Sequence, residues 1–459
     1  MKRRVFLKNA AATTAGTMVI PTIVPSSVFG ASAPSNIINV AQIGCGRIAK
    51  DHDTAATLRY VDQARFVAVS DVDTKRMADS KKRIEGFYNK QLGSDKAVDV
   101  KMYQDYHDLI ADKNIDAVLI STPDHWHSQP AIEAALAGKD IYLQKPTSLT
   151  VEEGRMVSDI VHRTGVIFQM GTQQRSMPQF RVAAELVRNG RIGKIHTVKI
   201  GLPGDPGGPV FETSPVPENL DFDMWLGSTP EVEYKEKMVH PQDGYSRPGW
   251  LRHRNYGAGM ITGWGQHHYD SAAWGMDTEH TGPISVEAIA EFPKSGDWNV
   301  HGDFMVKHEY ANGITVLTSG GFPNGVKYIG EDGWIFVSRG SYTASASDPV
   351  AKERSSKALN ASDPKILEEK IGDDEIKLYV SKEHHGDWLN SIKTRKQPIC
   401  TVEVAHRTCT ICLISDIAMQ IPGLLDWDPA TERFKNNDYA NSMLSRPQRY
   451  PYGTNYIQR

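Results

Sequence analysis

Ile37-Ile38-Asn39-Val40-Ala41-Gln42-Ile43, closed by Gly44-Cys45-Gly46-Arg47-Ile48-Ala49, is the stretch from which the architecture follows. An apolar run of strand length ends on two glycines, and Ala55, Ala56 and Leu58 continue at helical spacing. Glycines at those places let the backbone turn tightly and approach a pyrophosphate, whose charge the N-terminus of the next helix stabilises. Alone, G-x-G-x-x-A is a weak signal. Support comes from Phe66 to Ser70, a second apolar run ending at Asp71, about 20 residues past the motif. A carboxylate there accepts hydrogen bonds from both ribose hydroxyls and repels a 2′-phosphate. Gly44, Gly46, Arg47, Ile48 and Asp71 are therefore cofactor-binding candidates. NAD is favoured, NADP stays open because of Lys75 and Arg76, and a plain helix cap is the competing reading of Asp71.

Strand-like runs follow at Ala117 to Ile120, Asp140 to Leu143 and Gly165 to Gln169, with helical segments such as Ile132 to Ala137 and Val151 to Arg163 between them. This alternation predicts a parallel, doubly wound α/β sheet whose ligand crevice lies outside the carboxyl ends of its strands. Asp71, Thr122 to His127 and Gln144 to Pro146 all fall at such ends. The dinucleotide-binding domain is read as residues 36–164 and a substrate domain as 165–459. Pro and Gly crowd Gly201 to Pro217, which reads as a long functional loop.

Lys plus Arg number 52 against 55 Asp plus Glu, a formal charge of −3 without a long basic run, so nucleic acid is not an expected partner. Hydrophobic residues at 40% and charged residues at 23% are ordinary globular usage and exclude a disordered body. Beyond the first thirty residues no apolar run reaches the roughly 18 residues of a membrane span. Four cysteines are too few for a disulfide framework; Cys409 and Cys412 lack a matching second pair, so they read as packing thiols and no metal is expected.

The N-terminus is different. Lys2-Arg3-Arg4-Val5-Phe6-Leu7-Lys8 form a basic head, Ala10 to Val24 a mildly apolar core, and Val28 to Ala31 a small-residue site. That is the layout of an export signal, and its arginine pair resembles the twin-arginine address read by the Tat export machinery. Residues 1–35 are assigned to signal and linker. The mature chain is expected to begin near Ala31 and to be soluble in the periplasm, without a membrane anchor.

Ser121-Thr122-Pro123-Asp124-His125-Trp126-His127, then Ala137-Gly138-Lys139, then Gln144-Lys145-Pro146 closely resemble the Gfo/Idh/MocA family of glucose-fructose oxidoreductase and inositol dehydrogenase. Gly171 to Ser176, Leu186 to Ile195, Gly257 to Asp270 and the tail with Trp427-Asp428-Pro429 and Phe434 extend the resemblance over nearly all of the chain after the signal. It implies an N-terminal Rossmann domain, a C-terminal α/β domain on a large open, mainly antiparallel sheet, and a homo-oligomer, dimer or tetramer.

By this resemblance Thr122, Pro123 and His127 line the nicotinamide side, Gln144 belongs to the cofactor site, and Lys145 is the catalytic lysine. Oxidising a secondary alcohol needs a base for the proton, and a desolvated lysine has its pKa lowered toward the working range. The family usually carries Glu before this lysine. Gln144 removes that charge, which favours neutral Lys145 or alters how the nicotinamide ribose is held.

His267 matches the family's histidine as proton relay or hydrogen-bond donor, but Gly263 stands where relatives commonly carry an aspartate to orient it. Asp270, three residues on, shares a helix face with His267 and substitutes in part. His268 points about 100° away and is expected to pack structurally. Gln173, Gln174 and Arg175 are candidate hydroxyl-binding groups. Trp264, Tyr256 and Trp250 read equally as sugar-stacking platforms or as core.

The resemblance thus implies an oxidoreductase that takes a hydride from a ring hydroxyl of a sugar, glycoside or cyclitol, with Lys145 as base and His267 as partner. A close variant makes that oxidation the first step of redox-neutral glycoside cleavage or epimerisation through a keto-sugar. A non-catalytic cofactor- or sugar-binding protein is the reading from another class, suggested by Gly263 and opposed by the presence of Lys145 and His267. Because twin-arginine substrates cross the membrane folded, the NAD is expected to travel tightly bound.

Overall fold

The computed structural model describes residues 37–93, 98–340 and 357–457. The expected export signal and linker, residues 1–35, lie outside them.

Strand β1 (Ile38–Ile43) ends at the glycine turn, and β2 (Ala64–Ser70), β3 (Lys101–Tyr103), β4 (Ala117–Ile120), β5 (Asp140–Leu143) and β6 (Phe168–Met170) complete a parallel sheet in the order β3-β2-β1-β4-β5-β6. Every residue of β4 and β5 is buried, as expected of strands covered on both faces by helices. Strand order reverses between β1 and β4, which opens a crevice at their carboxyl ends. Two long helices of this half start on side-chain caps. Asp73 accepts from the backbone N–H groups of Lys75 and Arg76 before Thr74–Leu92, and Thr150 accepts from that of Glu153 before Val151–Thr164. The latter helix stops at Gly165, whose φ of 70° a side chain would resist. Strand β6 follows Thr164, where the sequence reading closes the dinucleotide-binding half, so the parallel sheet carries the chain to Met170.

The second sheet joins β7 (Ile195–Gly201), β8 (Ser285–Ala290), β9 (Phe304–Glu309), β10 (Thr315–Ser319), β11 (Gly325–Gly330), β12 (Gly333–Val337), β13 (Leu359–Ala361), β14 (Leu425–Asp428) and β15 (Arg433–Phe434), in the order β13-β12-β11-β7-β10-β9-β8-β14-β15. The pair β7 and β10 is parallel and the others are antiparallel, the mixed open sheet expected. Helices Pro178–Arg188, Gly265–Met276 and Val402–Ala418 contribute side chains to the core over this sheet. Val402–Ala418 is buried nearly all round, and Cys409 and Cys412 are fully buried free thiols within it. Among the described residues no helix is long and apolar enough to cross a membrane, and no group of three or more potential metal ligands occurs.

Candidate active site

Gly44 sits at φ 85°, and a Cβ there would lie 2.8 Å from the backbone carbonyl of Ser121 and 2.9 Å from the amide nitrogen of Thr122. Only glycine lets the end of β1 pack against the end of β4. At Gly46 a Cβ would meet nothing within 4 Å, so the next turn faces open space, a cradle free for a phosphate. Chain beyond it winds through a π-helical turn, Ala49–Asp53, into the helix Thr54–Leu58.

Asp71 is fixed at the tip of β2, where Oδ2 accepts from Cys45 N (2.6 Å) and Oδ1 from Asp73 N (2.9 Å). Each oxygen keeps a further lone pair for a ligand hydroxyl. The helix cap is Asp73, so the competing reading of Asp71 falls away. Lys75 Nζ donates to Gln242 O (2.8 Å), and Arg76 Nη2 to Pro241 O (3.0 Å), with the guanidinium over the Tyr245 ring. Both cations that kept NADP open are thus engaged with the loop at 241–245.

These residues border a cleft of about 1250 Å³ including its open mouth. All nine cofactor candidates line it: Gly44, Gly46, Arg47, Ile48 and Asp71 from the first strands, Thr122, Pro123 and His127 from the end of β4, and Gln144 from the end of β5. Trp250 joins them, whereas Tyr256 is buried against Trp225 and is core. The His127 ring lies between Thr122 O (3.0 Å) and Pro146 O (2.5 Å), tying the β4 loop to the residue after Lys145. Burial lowers its pKa to about 4, so the wedge is neutral.

Lys145 borders this cleft and also a smaller inner compartment of about 550 Å³, which Gln173, Gly263, Trp264 and His267 line from the other side. The two catalytic candidates, 122 positions apart by number (267 − 145), therefore face one space. Burial lowers the Lys145 pKa to about 8; Asp124 opposes, while Arg247, Arg339 and Arg47 lower it further. Gln144 donates from Nε2 to both carboxylate oxygens of buried Asp53 (2.8 and 3.0 Å), which also accepts from Ser121 Oγ (2.7 Å) and lies 3.2 Å from His385 Nε2. Where relatives usually carry Glu, the Gln144 amide is thus bound to the Asp53 carboxyl.

Three sequence-derived assignments need correction. Arg175 and Asp270 do not line the compartment. They form a two-point ion pair, Nε to Oδ2 and Nη2 to Oδ1, both 2.8 Å, with side chains 2% and 0% exposed; Glu279 and Thr172 complete it. Asp270 is consumed by Arg175 and does not orient His267. Gln174 is also fully buried: in the amide orientation that satisfies both ends it donates to His267 O (2.8 Å) and Ser271 Oγ (2.9 Å) and accepts from Arg339 Nε (3.1 Å).

His267 departs from expectation electrically. Burial, then Arg339 and Lys145, push its pKa well below the usual histidine value, so the ring is neutral, and buried Nδ1 has no hydrogen-bond partner among the described residues. His268 packs, as expected, with Nε2 2.6 Å from Asn324 Oδ1. Arg247, Arg339 and His52, which the sequence reading did not select, line the same compartment. The first two come from irregular segments far from the motifs, and nothing in their spacing marks them.

Gly263 occupies the last position of the short helix Met260–Gly263, whose start is held by Asp205 Oδ2 accepting from Met260 N (2.6 Å). Asp205 belongs to the Gly201 to Pro217 loop, which thereby positions this turn. A Cβ at 263 meets only Met260 Cε, at 3.1 Å and on a flexible side chain, and the backbone is helical there. Gly263→Asp should therefore fold with a stability change within about 1 kcal/mol and raise the His267 pKa, read by NMR titration of the ring. An unmoved titration would show that position 263 does not face the imidazole.

A parallel sheet with a glycine cradle and a ribose-height carboxylate, facing a second domain across a lysine and a histidine, is the architecture of a nicotinamide-dinucleotide oxidoreductase. Family models agree with it. The model for the oxidoreductase family with an NAD-binding Rossmann fold matches residues 38–172, and that for its C-terminal α/β domain matches 206–353 and 367–454. The chain belongs to the Gfo/Idh/MocA oxidoreductase family.

It is 33% identical over 189 residues to myo-inositol 2-dehydrogenase of Thermotoga maritima, 41% of this chain and 52% of that one, and 33% identical over 175 residues to the NAD-dependent scyllo-inositol 2-dehydrogenase of Bacillus subtilis, 38% and 47% of the two. The chain thus spans about half the length of these curated relatives. Among solved structures, levoglucosan dehydrogenase in complex with NADH and levoglucosan shares the fold at a TM-score of 0.56 and 18% identity, covering 85% of this chain and 99% of that one.

With an NAD-binding domain established, Asp71→Ala is expected to weaken NAD binding about tenfold to a hundredfold, the loss of hydrogen bonds to a charged acceptor, and to narrow the gap to NADP. Titration of both dinucleotides checks it. Equal affinity for the two in the unaltered protein would refute the role given to Asp71.

Proposed function

We propose that this protein oxidises a secondary ring hydroxyl of a sugar, glycoside or cyclitol with NAD. The observation that carries the reading is Lys145, its pKa lowered to about 8, on the wall shared by the dinucleotide cleft and the compartment of His267. The names of the relatives, inositol dehydrogenases and a levoglucosan dehydrogenase, support ring polyols as the substrate class.

NAD, when bound, would supply the hydride acceptor. The glycine turn, Arg47 and Asp71 would hold the dinucleotide, with Thr122, Pro123 and Gln144 lining the same cleft. Neutral Lys145 Nζ accepts the hydroxyl proton as the carbon is oxidised, and the resulting ammonium is offset by Asp124 nearby. Neutral His267, on the opposite wall, hydrogen-bonds the reacting hydroxyl and fixes it toward Lys145. Trp264 supplies an apolar wall that keeps bulk water from the exchange.

The basic head Lys2 to Lys8 supports export to the periplasm by the Tat machinery, and family resemblance supports an oligomer. The test of the catalytic reading is to mix the purified full chain and NAD with a panel of inositols, hexoses and glycosides and follow reduced-nicotinamide absorbance. Reduction with at least one polyol is expected. Tight sugar binding without any reduction would instead make the protein a binding module.

A further inference from the structure

Residues 240–248 form an irregular strap between the short helix Glu236–Val239 and the turn Gly249–Arg252, in the half of the chain that follows the parallel sheet. Val239, His240, Ser246 and Pro248 line the dinucleotide cleft together with Gly44, Gly46 and Asp71. Two side chains fasten the strap to the helix Thr74–Leu92 and its cap, just past the ribose-height carboxylate. His240 Nε2 lies 2.8 Å from Asp73 Oδ2, while Asn219 Nδ2 donates to Asp73 Oδ1 (2.7 Å). Burial opposes the charge on Asp73, yet the bonds from His240 and Asn219 hold its carboxyl down to about 2, so the anchor is ionised at neutral pH. Tyr245 OH donates to Asp79 Oδ2 (2.5 Å), and cations from two elements lie over its ring: Lys50 Nζ at 4.2 Å, with the guanidinium groups of Arg76 at 4.7 Å and Arg83 at 5.7 Å. Lys50 follows the glycine turn and the arginines belong to the helix Thr74–Leu92, so one ring joins the two elements.

What the strap takes up is the cationic equipment beside Asp71. Arg76 is buried on the cleft wall, where its Nη2 donates to two strap carbonyls, Pro241 O (3.0 Å) and Gly244 O (3.3 Å). Lys75 Nζ donates to a third, Gln242 O (2.8 Å), and pairs with Asp243 (3.3 Å). Arg76 is within electrostatic reach of the ribose position: burial pushes the Asp71 carboxyl up, and His240 and Arg76 are among the groups that oppose it. A planar guanidinium is the group best suited to grip a phosphate at two points. Here its Nη2 is spent on backbone carbonyls and its face on Tyr245.

We propose that Tyr245 and His240 are specificity-determining residues for the cofactor: by closing the strap they hold Arg76 to its carbonyls and deny the 2′-phosphate of NADP a cationic partner. Asp71 repels that phosphate, and the strap withholds the arginine that would compensate. The inference rests on the placement of the cofactor ribose at Asp71 and not on the chemistry at Lys145.

The experiment measures binding without turnover, titrating NAD and NADP by calorimetry into the full chain, into Tyr245→Ala, and into Tyr245→Ala combined with His240→Ala. Releasing the strap frees Arg76, so NADP should bind about tenfold or more tighter to the strap variants than to the unaltered protein. A gain in affinity is not what general damage to the fold produces. Adding Arg76→Met to Tyr245→Ala should return NADP to its original affinity. NADP affinity unchanged or weakened in both strap variants overturns the inference, and so does a gain that survives Arg76→Met. NAD affinity unaltered in Asp71→Ala would overturn the ribose placement and the inference with it. An Arg76-dependent gain for NADP in a protein that oxidises no polyol would uphold the inference and sink only the oxidation.

Discussion

Replacing Lys145 by methionine is expected to reduce turnover by about 10² to 10⁴, the range a general base supplies, while NAD affinity changes little. Methionine keeps much of the lysine's bulk and removes the group that accepts the proton. The groups proposed to hold the cofactor are the Gly44 turn and Asp71, whose carboxylate is fixed by Cys45 N and Asp73 N and not by residue 145. Stopped-flow measurement of nicotinamide reduction together with a fluorescence titration of NAD separates the two effects. Near-normal turnover in the variant would remove Lys145 from the reaction.

The second large effect concerns stability. Asp270→Ala is expected to cost about 3–5 kcal/mol, because it leaves the Arg175 guanidinium in the core without its two-point partner. Burial works against the charge on Arg175, and Asp270 with Glu279 holds it in place; Glu279 alone, reached from Nη1 at 2.7 Å, cannot replace two bonds. The pair ties the turn after β6 to the helix Gly265–Met276, so its loss loosens the element that carries His267. Urea denaturation should show a lower midpoint. A midpoint within that of the unaltered protein would mean that the ion pair adds nothing beyond its cost of burial.

Those two residues also show where sequence reasoning ran out. The strand, glycine turn and carboxylate from Ile38 to Asp71 were legible because each signal is local: apolar runs of strand length, a turn that admits only glycine, a polar residue at a strand end. Lys145, Thr122 and His127 were legible for the same reason, sitting where a parallel sheet opens its crevice. Arg175 and Asp270 are polar residues beside recognised motifs, which made them look like ligand groups. Their separation of 95 positions hides that each is the other's partner, and only tertiary packing turns them inward.

His267 lines a compartment with Lys145, but its charge state was not legible in the sequence. Its lowered pKa arises from burial and from Arg339, a residue that no periodicity connects to it. At Gly263 the helix Met260–Gly263 shows ordinary helical geometry, so the departure from the family aspartate is a change of side chain alone.

The central claim is that the half-buried Lys145 is the base for the hydroxyl proton, and the pH dependence of single-turnover cofactor reduction tests it most directly. A lysine must be neutral to accept a proton, so the protonated form below its pKa is inactive. With that pKa lowered to about 8, the rate should climb about tenfold per pH unit up to pH 8 and level off above it, and in Lys145→Met this limb should vanish from the small residual rate. A limb that persists unchanged in the variant would assign the titration, and the proton, to another group.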